Sequence, residues 1–319
     1  MSEETCRTME TPGNFYGKLS GQRPISVLIA GDSIGYGSSS SAPDTSFAAL
    51  FSQQLQEKFG CEVSVTNISV GGTDSLFSYV VMNRQDFACR FDLVVVCHGQ
   101  NDRPEELERN YESLLRTALS QNPGCEIICL LESAQREYTE KLSAIQRLAA
   151  HYGCAVCDTL AAFRHSGRPY EELVSEDGVH PNDAGHRLYA EALLRTVEQG
   201  VSSGKSAAGE RPLPAPFGRP FTSFRYIPRH KLKREGLTLS VTAVGQLFCF
   251  HVLEGLSGNP YRVVMTGMAP QVRALKHDFG WVWERMYPLP GEKSKKKTLR
   301  FILQNANDLD RIIGVTVLS

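Results

Sequence analysis

Residues 25–35 read ISVLIAGDSIG, and three further segments complete their pattern: residues 67–74 (NISVGGTD), 93–102 (LVVVCHGQND) and 177–182 (DGVHPN). In the first and third, an apolar run that reads as a buried strand passes straight into small or polar residues. The second does the same after residues 62–68. In an open α/β sheet, ligands bind in the crevice outside the carboxyl ends of the parallel strands. Three polar turns therefore converge on one sheet edge, and the fourth segment adds a carboxylate and an imidazole three residues apart. A serine, a histidine, an aspartate and several hydrogen-bond donors can meet there, which is the equipment of acyl transfer.

Outward from these segments, residues 24–199 alternate strand and helix patterns. Strands are expected at residues 25–30, 62–68, 93–97, 126–131 and 155–158, short, rich in Val and Ile and apolar on both faces, as covered parallel strands are. Between them Phe47, Phe51, Leu55 and Phe59 recur every four residues, with Gly60 placed to end the helix. Leu188, Ala192, Leu193 and Val197 form a second stripe, which Gly200 is expected to close. Five βα units with right-handed crossovers predict a three-layer α/β/α sandwich around a five-stranded parallel sheet. Residues 1–23 read as an N-terminal extension. Residues 200–220 (GVSSGKSAAGERPLPAPFGRP) lack periodicity and read as a linker.

Residues 221–319 change texture. Strands are expected at 237–244, 246–253, 261–266, 298–303 and 311–318, without a long amphipathic helix, which predicts an all-β, sandwich-like accessory domain. Trp281, Trp283 and Tyr287 alternate there, either as stacking residues for a sugar ring or as the inside of the sandwich.

The 319 residues carry 34 Lys+Arg against 35 Asp+Glu, a net charge of −1. That near-neutrality conceals an asymmetry: residues 215–319 hold 16 basic against 7 acidic groups, and residues 1–214 hold 18 against 28. Two halves of opposite sign support two domains. The densest basic cluster, residues 293–297 (KSKKK), reads as a solvated hairpin tip, and nucleic acid is not expected as a partner. Nine cysteines, an odd number without regular spacing, fit reduced thiols. Cys154 and Cys157 have half-site spacing, but no second pair accompanies them and a buried strand uses cysteine as a small hydrophobe. No metal and no cofactor are expected. The polar N-terminus has no apolar core of a signal peptide, and no run approaches the roughly 20 residues of a membrane span, so the expected location is cytoplasmic. The oligomeric state is not readable.

Ser33 follows a strand at the strand-to-helix turn. Gly71 and Gly72 allow close backbone approach to a ligand. The Asn101 amide can donate to a developing oxyanion, while Asp102 is placed to cap the next helix, over residues 105–120. Asp177 and His180 can share one tight turn, the carboxylate fixing the imidazole tautomer. His98 is expected on the substrate side or in packing, and His186 on the surface or in packing.

Together the four segments resemble the SGNH, or GDSL, hydrolase family. Gly31-Asp32-Ser33 matches its first block, Gly72 its second, Gly99 to Asp102 its third, and Asp177 to His180 its last. The resemblance covers roughly residues 24–199 and leaves the C-terminal domain unassigned. It implies Ser33 as nucleophile, His180 as base and Asp177 as orienting acid. It also implies an oxyanion hole from the Ser33 and Gly72 N–H groups and the Asn101 amide, with Gly71 an open alternative to Gly72. The expected activity is a serine esterase acting on a short acyl group, such as acetyl, of a small-molecule or carbohydrate ester. The rivals are an O-acyltransferase using the same acyl-enzyme, a lysophospholipase or thioesterase, and a glycan-binding protein with a decayed hydrolase domain.

Overall fold

Runs of Val, Ile and Leu that lack a polar face are stable only inside a sheet covered on both sides. The computed structural model describes residues 15–87, 89–204, 213–276 and 282–319. The chain divides into two compact units, Met1–Pro220 and Phe221–Ser319.

The first unit runs α1 (Phe15–Ser20), β1 (Ile25–Gly31), α2 (Ser33–Tyr36), α3 (Phe47–Phe59), β2 (Val63–Asn67), α4 (Ser75–Arg84), β3 (Leu93–Cys97), α5 (Pro104–Gln121), β4 (Glu126–Leu131), α6 (Glu140–Tyr152), β5 (Ala155–Asp158), α7 (Thr159–His165) and α8 (Asp183–Ser202). Its five strands lie in the order β2-β1-β3-β4-β5, all parallel. The expected sheet is present. Strands β3 and β4 are buried throughout, but β2 is largely exposed because it is an edge strand, contrary to the reading of every strand as covered. The order reverses between β1 and β3, so their following loops part there and open a crevice.

Three further expectations change here. The residues read as an N-terminal extension include α1, whose Phe15, Tyr16 and Leu19 belong to the same core as Phe51, Leu193 and Val197. Gly200 does not close α8; the helix continues to Ser202. A Cβ at Gly200 would come within 2.4 Å of the Tyr16 ring, so glycine is needed there for close packing. Finally, the segment read as a linker is docked at its far end. Ala215 N–H donates to Oε1 of the fully buried Glu112 at 2.6 Å, and the Arg147 guanidinium stands 5.7 Å from the Phe217 ring centre.

A chain ending at residue 200 removes that donor from a buried carboxylate, whereas one ending at 220 keeps it. Losing a hydrogen bond to a buried charged group costs about 1.5–3 kcal/mol. In a unit of this size that lowers the melting temperature by roughly 3–10 °C. Thermal melts of the two truncations check this; equal melting temperatures would mean the docking contributes nothing.

The second unit comprises β6 (Phe224–Pro228), β7 (Lys233–Glu235), β8 (Thr238–Glu254), β9 (Tyr261–Met265), β10 (Gln271–Arg273), β11 (Trp283–Ile302) and β12 (Ile312–Leu318). Six strands lie in the order β10-β9-β11-β8-β12-β6, with β7 pairing β8. The two strands expected at 237–244 and 246–253 are one long strand, β8. Its partner β11 changes register between Glu292 and Lys296, and residues from both sides of that irregularity share one core, including Leu239, Phe301, Phe250 and Val315. A single antiparallel sheet thus encloses its own core, in the manner of a sandwich. At the irregularity a Cβ on Gly291 would lie 2.2 Å from the Gly245 carbonyl oxygen, so the strands approach too closely for any side chain.

The lysine cluster is therefore a bulge within β11 and not a hairpin tip, with Lys295 and Lys297 both paired to Glu292 at 2.6 Å. Trp281 lies outside the described residues. Trp283 has the Arg285 guanidinium 5.2 Å from its ring centre. Tyr287 stacks on Phe250 at 5.1 Å and carries the Arg273 guanidinium at 4.6 Å. Its ring is engaged inside the domain, which favours the interior reading over a sugar platform.

Candidate active site

The β ladder stitches the predicted turns together at the crevice. Asp32 N–H donates to Cys97 O at 3.1 Å, and Val70 N–H to Gly31 O at 3.1 Å, so the turns after β1, β2 and β3 are adjacent. Ser33 opens α2, a four-residue helix whose N-cap, Asp32, accepts from Ile34 N–H at 2.9 Å. Asn67 adds a brace that the sequence reading passed over: its Nδ2 donates to Gly35 O at 2.8 Å.

From the far end of the sheet, the turn before α8 brings a histidine to the serine. His180 Nε2 lies 2.8 Å from Ser33 Oγ, and His180 Nδ1 lies 2.5 Å from Asp177 Oδ2. The other Asp177 oxygen accepts from Val179 N–H at 2.8 Å, His180 N–H at 3.0 Å and Ser175 Oγ at 2.8 Å. Partial burial pushes the Asp177 carboxyl up, but the bonds from the His180 imidazole and from these neighbours outweigh it and hold the group well below the usual carboxylate range. Asp177 is thus ionised and can only accept. The proton between them sits on Nδ1, which leaves Nε2 as the acceptor facing the Ser33 hydroxyl.

Gly71 stands against the serine: a Cβ built on it would lie 3.7 Å from Ser33 Cβ. Gly72 follows with φ of 70°, the left-handed conformation that glycine adopts without strain. Asn101 is at the same edge, with its amide nitrogen donating to Asp32 Oδ2 at 3.0 Å and Thr73 O at 3.1 Å. Both amide protons are engaged, so donation to a ligand requires one of those bonds to be exchanged.

Asp102 does not cap α5. That N-cap is Arg103, without a side-chain bond. Asp102 instead accepts from Ser75 N–H at 3.1 Å and from the Ser75 hydroxyl, across the crevice at the start of α4. Burial, and then the charge of Asp74, push its carboxyl up to about 7. His98 is fully buried, 2.8 Å from Ser78 Oγ through Nε2; burial drives its pKa down to about 3, so it is neutral packing and not a substrate-side group. His186 is also fully buried. Its Nδ1 accepts from Phe47 N–H at 3.3 Å and its Nε2–H donates to Ser38 O at 3.1 Å. With Asp183, which accepts from Ser41 N–H at 2.7 Å and Thr45 Oγ1 at 2.9 Å, it ties the serine-rich loop after α2 to α8.

Behind the serine lies a buried acid group that the sequence did not announce. Asp32, Cys97 and Glu132 offer ligand atoms within 4.8 Å of one another. All four carboxylate oxygens already accept a bond, from Ile34 N–H, the Asn101 amide, Cys97 Sγ and Gln100 N–H. Burial raises Glu132 to about 7; burial, and then Glu132, raise Asp32 well above the carboxylate range. Each carboxylate oxygen of the pair is therefore satisfied by a neighbouring donor.

A model of the GDSL-like lipase/acylhydrolase family matches residues 29–188, half of the chain, taking in most of the first segment and all of the other three. The chain belongs to this family. Membership makes it a carboxylic ester hydrolase. No curated protein matches the chain. Among solved structures, a two-domain esterase (CEX) active on acetylated mannans, co-crystallized with mannopentaose, superposes with a TM-score of 0.75 at 16% identity, covering 95% of this chain and 92% of the other. A second structure of that esterase gives 0.75 at 17% identity, covering 95% and 93%. At such identities the likeness establishes the two-domain fold. Among the described residues no helix is long and apolar enough to cross a membrane.

Proposed function

We propose that this family member is a serine esterase that removes acetyl groups from a carbohydrate through an acyl-enzyme. The observation that carries the reading is the continuous relay Ser33 Oγ, His180 Nε2, His180 Nδ1, Asp177, with spans of 2.8 and 2.5 Å. Ser33 Oγ attacks the ester carbonyl carbon as its proton passes to His180 Nε2, and Asp177 stabilises the imidazolium while remaining ionised. The Ser33 N–H and the N–H groups of the Gly71–Gly72 turn hold the oxyanion, with Asn101 joining once it exchanges a bond. His180 then protonates the departing alcohol. Water, deprotonated by the same nitrogen, releases the acid from Ser33.

The short acyl group is supported by the small and polar residues around Ser33, and the carbohydrate by the full-length likeness to an esterase active on acetylated mannans. Hydrolysis of p-nitrophenyl esters from C2 to C12, alongside acetate release from acetylated mannan, tests both. The expected result is a rate falling by at least about tenfold from C2 to C8, with free acetate from the polysaccharide. A preference for C8 or longer would replace the acetyl reading with a lipase-like one. Transfer of the acetyl group to an added alcohol in preference to water would make the protein an acyltransferase.

A further inference from the structure

Beside the Asp177–His180 turn lies a hollow of about 290 Å³ whose walls include Arg136, Arg164, Arg168, Tyr170, Phe163 and Glu171. Three guanidiniums against one carboxylate run against the charge of the surrounding chain, since residues 1–214 hold 28 acidic and 18 basic groups. Arg168 is neutralised by Glu172 at 3.3 Å. Arg136 and Arg164 are not: among the described residues neither has a carboxylate partner.

Both are nevertheless held in place. The Arg136 guanidinium lies 4.7 Å from the Tyr170 ring centre and donates through Nη2 to Gly178 O at 3.0 Å. The Arg164 guanidinium lies 5.2 Å from the Tyr138 ring centre and donates through Nη2 to Arg136 O at 2.9 Å. Arg136 also has φ of 60°, a left-handed backbone that a non-glycine residue adopts at a cost. Such strain persists where surrounding structure enforces it, and it gathers at ligand sites. Two positioned, unneutralised guanidiniums with donors to spare form a fork that matches an oxyanion. Gly178, which Arg136 grips, lies between Asp177 and His180, so one wall of the hollow is tied directly to the relay turn.

We infer that this hollow is an anion subsite, taking a carboxylate or phosphate carried on the alcohol portion of the ester, so that the favoured substrate is an acidic acetylated sugar. The inference rests on the esterase reading of Ser33.

Three matched acetylated sugars test it: a neutral hexose, its uronic acid and its 6-phosphate. Steady-state hydrolysis by the full-length protein should give at least one anionic ester a kcat/KM about tenfold above the neutral one, through KM. The better of the two identifies carboxylate or phosphate as the source of the charge. In Arg164→Gln the ratio of anionic to neutral kcat/KM should fall toward one, and in wild type it should shrink at about 0.5 M salt, where exposed charges are screened. The salt arm stands even if the variant does not fold. Equal turnover of all three esters, or a preference that survives both the variant and the salt, overturns the subsite alone. Absence of turnover on these esters and on p-nitrophenyl acetate would instead overturn the esterase reading.

Discussion

Replacing Ser33 with alanine is expected to lower ester hydrolysis by at least ~10⁴-fold, a loss of about 5.4 kcal/mol of transition-state stabilisation. In the proposed mechanism this hydroxyl forms the bond to the substrate carbonyl, and without it His180 Nε2 has no proton to accept at that position. The substitution removes one oxygen from a half-buried residue at the start of α2, so folding should survive. A fluorophosphonate probe separates this role from a structural one. Wild type should be labelled at Ser33, and the variant should remain unlabelled while melting at nearly the same temperature. Equal labelling of both proteins would remove Ser33 from the mechanism.

Asp177→Asn should lower kcat by about 10³–10⁴-fold, the scale set by loss of the orienting acid in other serine hydrolases. The asparagine Oδ1 can still accept from the Val179 and His180 N–H groups, so the turn should keep its shape. The amide nitrogen, however, would face Nδ1 with a donor of its own. Imidazole would then favour the tautomer with its proton on Nε2, where it donates toward Ser33 and cannot act as base. A stopped assay of kcat, together with a thermal melt, distinguishes tautomer loss from unfolding. Retention of most activity would mean that another carboxylate orients His180.

The Asp177–His180 pair was legible because the two residues are three apart, and one tight turn suffices to join them whatever surrounds it. The strands were legible for a similarly local reason: β3, β4 and β5 match the apolar runs residue for residue, since a run without a polar face has few other places to go. Local patterns failed where a residue's partner is remote. Asp102 has the sequence of a helix cap, yet its carboxylate is taken by Ser75, 27 positions earlier. Gly200 has the sequence of a helix stop, yet it makes room for Tyr16. The polar setting of residues 1–23 hid three side chains that complete the core.

The sequence by itself determined the parallel α/β unit, its order of polar turns and the residue types that meet at the crevice, because periodicity and short spacing act within one element or one turn. Only the tertiary structure decided that Ser33 and His180, 147 residues apart, stand 2.8 Å from one another. The same packing turned Asn101 onto Asp32, buried the Asp32–Glu132 acid pair behind the serine, and set Arg136 against the Asp177–His180 turn. Those contacts depend on how helices seat on the sheet at ångström precision, and hydrophobic period specifies which face is buried but not which side chain lies opposite.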